Sequence, residues 1–146
     1  MLIESTTKIS GGQFHDERGA VSFINDFDMT PIKRTYVIHH PNIEIVRAWQ
    51  GHKLEQKWFY SVVGSFLINV IQIDDWEHPS SDLVVNSHYL ESRNPSILYV
   101  PGGYVTGIKA LEADSSLMVF SDLFVNESKD DDFRFDKDKW FSWNLP

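Results

Sequence analysis

Apolar and polar residues alternate along most of this chain in short runs separated by turn residues, and a helical three-and-four spacing is never sustained. The pattern predicts strands at residues 20–25, after the turn-like Asp16-Glu17-Arg18-Gly19, at 32–39, stopped by Pro41, and at 45–52. Two further runs, 56–63 and 66–73, flank Gly64-Ser65, which reads as a two-residue hairpin. Trp58, Tyr60 and Val62 share one face of the first arm, and Phe66, Ile68 and Val70 one face of the second. Strands at 83–90, 96–100, 106–111 and 117–122 follow, with Pro101-Gly102-Gly103 as a turn. Only 127–140 reads as a candidate helix, its Asp-rich start suiting a helix N-terminus. About nine short strands and little helix predict an all-β fold, a closed or jelly-roll β-sandwich.

Length and composition narrow the class. A chain of 146 residues without a composition break is expected to form a single domain, 1–146, with a core of its own. The absence of cysteine excludes a disulfide scaffold, a thiol nucleophile and a zinc-thiolate site. A formal charge of −8 argues against nucleic acid and anionic membranes as partners. No apolar run approaches the ~18 residues of a membrane span, and the first ten residues lack a signal-peptide core. A soluble cytoplasmic protein is therefore expected. Aromatic residues make up 14% of the chain, which suits strands and surfaces that stack on sugars or bases.

The charge is unevenly spread. Lys33, Arg34, Arg47, Lys53 and Lys57 face only Glu44 and Glu55 within residues 33–57, so that segment carries +3 and the remainder −11. It reads either as a pocket for an anion, with arginine as a bidentate phosphate donor, or as solvated outward faces of strands. His52 ends a strand beside these cations, which would lower its pKa and keep it a neutral base; the alternative is a surface histidine at a turn. His39-His40, before Pro41, reads as a loop pair. No GxSxG, P-loop, HExxH or GxGxxG motif is present.

Several segments together resemble the cupins that act on nucleotide-linked sugars, the dTDP-4-dehydrorhamnose 3,5-epimerases and the dTDP-4-oxo-6-deoxyglucose 3,4-ketoisomerases. Asp16-Glu17-Arg18-Gly19 is similar to the family's D-x-R-G turn. Arg47-Ala48-Trp49-Gln50-Gly51-His52-Lys53 resembles the ketoisomerases' R-G-x-H-x-H-K, and Pro101-Gly102-Gly103-Tyr104-Val105-Thr106-Gly107 the epimerases' P-x-G-[FY]-x-H-G. Lys33-Arg34-Thr35-Tyr36, the Gly64-Ser65 turn and the closing Asp131–Asp136 segment with Trp140 complete the likeness.

The resemblance implies a dimeric jelly-roll cupin that binds a nucleotide diphosphate with arginines, uses no metal or other cofactor, and moves protons beside the sugar's C4 ketone. A base removes the α-proton, an enolate forms, and an acid returns a proton. Carried onto this chain, it makes Arg18 and Arg47 diphosphate ligands, Trp49 or Tyr36 a stacking platform, and Lys57 a further substrate contact. His52 becomes the base, Asp136 the group that orients it, and Tyr36, Tyr104 or a water the acid. The chain departs from the family at three places: the epimerase base falls on Gln50, which would remain a substrate contact, the epimerase tyrosine on Phe120, and the later histidine on Thr106. Metal-binding cupins would use these same positions with Glu55, where only His52 and Glu55 are ligands and strand alternation separates the two. The expected activity is a nucleotide-sugar isomerase of the 3,5-epimerase type acting on a dTDP-4-keto-6-deoxyhexose in deoxysugar biosynthesis. The alternatives are a 3,4-ketoisomerase or a non-catalytic nucleotide-sugar binder, and a homodimer is expected in each case.

Overall fold

Alternation along each strand is what divides this chain into two sheets with a shared interior. In the computed structural model, which describes residues 5–144, the strands are β1 (Thr7–Ser10), β2 (Gly12–Asp16), β3 (Gly19–Phe23), β4 (Arg34–His40), β5 (Val46–His52), β6 (Lys57–Val63), β7 (Ser65–Gln72), β8 (Asn86–Glu91), β9 (Ser96–Val100), β10 (Tyr104–Ala110), β11 (Ser115–Ser121) and β12 (Phe133–Arg134). One antiparallel sheet has the order β1-β9-β6-β11-β4 and the other β12-β5-β10-β7-β8; β2 and β3 form a separate hairpin. Phe59, Leu98, Leu117 and Val119 from the first sheet meet Phe66, Ile68, Val70 and Ile108 from the second in the main core.

The second sheet is covered on its outer face as well. Trp49, Leu67, Ile71 and Val105 pack there against Trp76, Phe135, Trp140, Phe141 and Trp143. Gly107 makes this possible, because a β-carbon there would lie 2.6 Å from the Trp143 ring. No helix among the described residues is long and apolar enough to cross a membrane.

Two sequence expectations need correction. Gly64-Ser65 is a corner between sheets, since β6 belongs to the first sheet and β7 to the second. Gly64 has φ +75°, and a β-carbon there would collide with Ser115, so the sharp bend needs glycine. The 127–140 segment is not a helix. It contributes one helical turn, α1 (Val125–Ser128), a 3-10 turn at Lys129–Asp131, and then strand β12 paired with β5. Phe133 and Phe135, two apart, both pack on Trp76, which fits a strand period and not a helical one.

Candidate functional site

The interior positions of β4, β5, β6 and β10 turn polar toward one end of the sandwich. Arg34 and Tyr36 on β4, Arg47 and Gln50 on β5, Lys57 on β6 and Thr106 on β10 line a cavity of about 700 Å³, with Ser128 and Arg134 contributed by the C-terminal segment. That is within the usual size for a small-molecule site. Four cations and no carboxylate line it. The guanidinium of Arg34 lies 5.1 Å from the centre of the Tyr36 ring and the Lys57 ammonium 5.7 Å. Such a wall favours an anion with an unsaturated or apolar portion.

Glu55 is the counter-charge behind this wall, at 1% exposure. It accepts hydrogen bonds from Arg34 at 3.1 Å, Ser121 at 2.7 Å and Ser128 at 2.5 Å. Burial pushes its carboxyl up, but the two serine hydroxyls, the charge of Lys57 and, once it is protonated, that of His52 outweigh this and hold it below the ordinary value. Arg34 also donates to the Leu123 carbonyl, so it is fixed at both ends of its head group.

His52 follows Gln50 by two residues and so shares the interior face of β5; it is 6% exposed. Its Nδ1 lies 2.5 Å from the Asp131 carbonyl oxygen and 3.4 Å from a Glu55 oxygen. A carbonyl only accepts, so the proton sits on Nδ1 and Nε2 carries the lone pair; Nε2 is buried and has no hydrogen-bond partner among the described residues. Burial first, then Lys57, lowers the His52 pKa, with Glu55 and Asp131 acting in the opposite direction. The imidazole is neutral at pH 7 and its lone pair is on Nε2, the arrangement of a general base.

The far end of the chain builds this geometry. The Asp131 carboxylate accepts the backbone N–H groups of Lys53, Leu54 and Glu55 at 2.7–2.8 Å, pinning the turn that carries both His52 and Glu55. Gln50 donates to Asp132 at 3.2 Å, and Asp132 in turn holds Arg134 through two contacts. β5 ends at His52, so alternation no longer governs Glu55, and its carboxylate comes to the histidine instead of turning away. Among the described residues no third histidine, aspartate or glutamate joins them as a metal-binding group.

The structure thus brings Tyr36, Arg47, Gln50 and Lys57 into one wall. Tyr104 is the cross-strand partner of His52, buried in the core, where burial raises the pKa of its phenol. Three other expected residues lie away from this wall or bury their side chains. Arg18 is 81% exposed on the β2–β3 hairpin, paired with Asp16 and outside the cavity wall. Asp136 is exposed, and its carboxylate accepts the Asp138 N–H; the group that holds His52 is Asp131. The Trp49 ring is 1% exposed, clasped by Trp140 and Trp143 with its N–H on the Lys137 carbonyl, so it cannot stack on a ligand. Phe120, too, points away: its ring packs on Phe27 outside the first sheet. Arg34 is legible in the sequence as an interior partner of Tyr36 two residues on; Arg134, Ser128 and Asp131 are not, since only the tertiary fold returns the tail to β5.

Two antiparallel sheets around a cation-lined interior make this a cupin-type β-sandwich. It superimposes on a dTDP sugar isomerase from Desulfovibrio desulfuricans G20 with TM-score 0.77, at 19% identity over 99% of this chain and 94% of that one. A dTDP-4-dehydrorhamnose 3,5-epimerase from Bacillus anthracis str. Ames, solved with TDP and PPi bound, gives 0.76 at 16% identity, covering 100% and 91%. A 3,4-ketoisomerase from Thermoanaerobacterium thermosaccharolyticum, in complex with TDP-4-keto-6-deoxyglucose, gives 0.68 at 20%, covering 92% and 90%. At these identities the likeness is one of fold. No curated protein matches the chain. The sequence model of the FdtA family, described as WxcM-like, C-terminal, matches residues 5–142, and the chain belongs to that family.

Proposed function

We propose that the chain is an isomerase of nucleoside-diphosphate-linked 4-keto sugars, with a dTDP-4-keto-6-deoxyhexose as substrate. The observation that carries this reading is the combination of four cavity cations with a neutral imidazole on the same strand as Gln50, whose buried Nε2 has no hydrogen-bond partner among the described residues. Arg34, Arg47, Lys57 and Arg134 offset the diphosphate charge, and the Tyr36 ring offers a face to the base or the sugar. Nε2 of His52 takes the proton from the carbon beside the ketone, and the electron pair moves into an enolate whose oxygen the nearby cations stabilise. Return of a proton to the neighbouring carbon from the imidazolium, with the hydroxyl proton passing between the two oxygens, exchanges ketone and alcohol.

This is the 3,4-ketoisomerase outcome, and the geometry favours it over 3,5-epimerisation. The retained imidazole is the one that corresponds to the ketoisomerases' second histidine. Of the epimerase counterparts on this chain, Asp136 and Phe120 lie away from the cavity wall, and Gln50 and Thr106 line it without an imidazole. The role in view is cytoplasmic deoxysugar biosynthesis. A homodimer fits the exposed β2–β3 hairpin, where Phe14 is 58% and Val21 62% exposed and a partner would cover both. Light scattering should give about twice the 16.9 kDa chain mass.

The test is incubation with dTDP-4-oxo-6-deoxyglucose in deuterated water, followed by NMR. A new 3-keto sugar is expected. Deuterium at C3 and C5 with the 4-ketone retained would make the protein an epimerase. Binding with neither change would make it a non-catalytic nucleotide-sugar protein.

A further inference from the structure

His40 ends β4 with its ring fully buried inside the sandwich, edge-on to Phe66 at 5.6 Å. Its Nε2 accepts a hydrogen bond from Nε of Arg47 at 3.2 Å. An arginine only donates, so Nε2 must be the unprotonated nitrogen and the ring must be neutral for the contact to exist. This is the one hydrogen bond to the Arg47 guanidinium among the described residues, which leaves its terminal nitrogens for the cavity that Arg47 lines.

We propose that His40 is a positioning residue, a neutral acceptor that aims the Arg47 guanidinium at the ligand's phosphate groups. The proposal rests on the reading of the cavity as a nucleoside-diphosphate site. An arginine on a strand face has several rotamers of similar energy, and an anion that must first select one of them binds more weakly. Anchoring Nε removes that cost while leaving the two outer nitrogens for bidentate contact. The charged and titratable neighbours of His40 are Arg47 on β5, Lys109 on β10 and His39 on its own strand, with no carboxylate among them. Burial first, and then these charges, hold the His40 pKa below the ordinary histidine value. Protonation would turn Nε2 into a donor facing a donor and release Arg47.

Calorimetric titration with dTDP provides the test, on the wild-type protein and on His40→Leu, His40→Gln and Arg47→Ala. His40→Leu removes the acceptor; His40→Gln keeps an amide oxygen near the place of Nε2 that does not titrate. The expected result is five- to tenfold weaker binding in His40→Leu, about the cost of ordering one flexible side chain, with His40→Gln within about twofold of wild type on the same scale. On acidification the wild type should lose affinity relative to His40→Gln; titration of the nucleotide itself is common to both and cancels. Equal losses in the two His40 variants, with parallel pH profiles, would reduce His40 to a packing role and overturn the proposal. If His40→Leu does not fold, the His40→Gln pH comparison decides alone. Absence of dTDP binding by the wild type, or unchanged affinity in Arg47→Ala, would overturn the cavity reading and this proposal with it. A strong Arg47→Ala effect with none in His40→Leu would overturn the positioning role only.

Discussion

The two halves of the sandwich interior are built from the same strands and differ in what those strands present. Along β6 the interior residues are Lys57, Phe59 and Ser61; along β10 they are Tyr104, Thr106, Ile108 and Ala110; along β4, Arg34, Tyr36, Ile38 and His40. One half closes into the apolar cluster around Phe59, Phe66 and Leu117. The other keeps polar residues at positions where alternation calls for apolar ones, and stays open as the cavity. Apolar residues in place of the inward-facing Gln50 and Thr106 would serve the core as well or better. Residues that break the local rule on otherwise regular strands therefore mark the site. The halves should answer differently to substitution: the apolar one in stability, the polar one in chemistry.

The largest effect belongs to the apolar half. Phe66 is fully buried, and Phe66→Ala should cost about 3–5 kcal/mol of unfolding free energy, through lost burial and the cavity left behind. Urea denaturation followed by tryptophan fluorescence measures it, and a loss below about 1 kcal/mol would erase the contrast between the halves. In the polar half, His52→Gln should slow isomerisation about 100-fold or more, the usual worth of a positioned base. Its KM should change little, because the anion is held by other residues. A variant that keeps wild-type turnover would assign the base to another residue. Lys57→Met is milder. It conserves much of the buried volume, leaves Glu55 paired with Arg34, and should weaken dTDP binding about tenfold with little change in urea midpoint. A variant that instead unfolds readily while binding normally would make Lys57 structural.

How much of this is legible in the sequence follows the same division. Strands β4 to β7 and β9 to β11 show their period in the residue order, and the cations of residues 33–57 can be counted there directly. What a local pattern does not carry is which strand a segment will lie beside. Gly64-Ser65 signals a sharp bend, yet a hairpin and a corner between sheets need the same residues; only the partner strands, β11 for β6 and β10 for β7, distinguish them. The acidic run Asp130-Asp131-Asp132 reads locally as a helix start or a solvated tail. Its role as the clamp on residues 53–55 depends on a contact across more than seventy positions. Trp49 sits in the right motif, but its face of β5 is the one the tail covers.

The smallest effect is the pH dependence of stability, and it sharpens the comparison because the apolar half contributes few groups to it. His40, His52 and His88 are all shifted below the ordinary histidine value, in each case chiefly by burial. Above about pH 7.5, a unit over the ordinary histidine pKa, the three are neutral in folded and unfolded chains alike, and stability is insensitive to them. Below it the unfolded chain takes up protons that the folded one refuses, so stability falls with falling pH until each folded histidine titrates in turn. Glu55 acts lower down. Its depressed pKa contributes stability that is present above the ordinary glutamate value and lost as pH falls through the folded one. The urea midpoint should therefore decline gently between about pH 7.5 and 5.5 and more steeply below about pH 4.5. His52→Gln should flatten the upper part of that decline. Phe66→Leu, which titrates nothing, should lower the midpoint by a similar amount at both ends. A wild-type midpoint that is level across the upper range, or a decline that His52→Gln leaves untouched, would mean that the buried imidazole does not resist protonation and titrates nearer the ordinary histidine range than its surroundings imply.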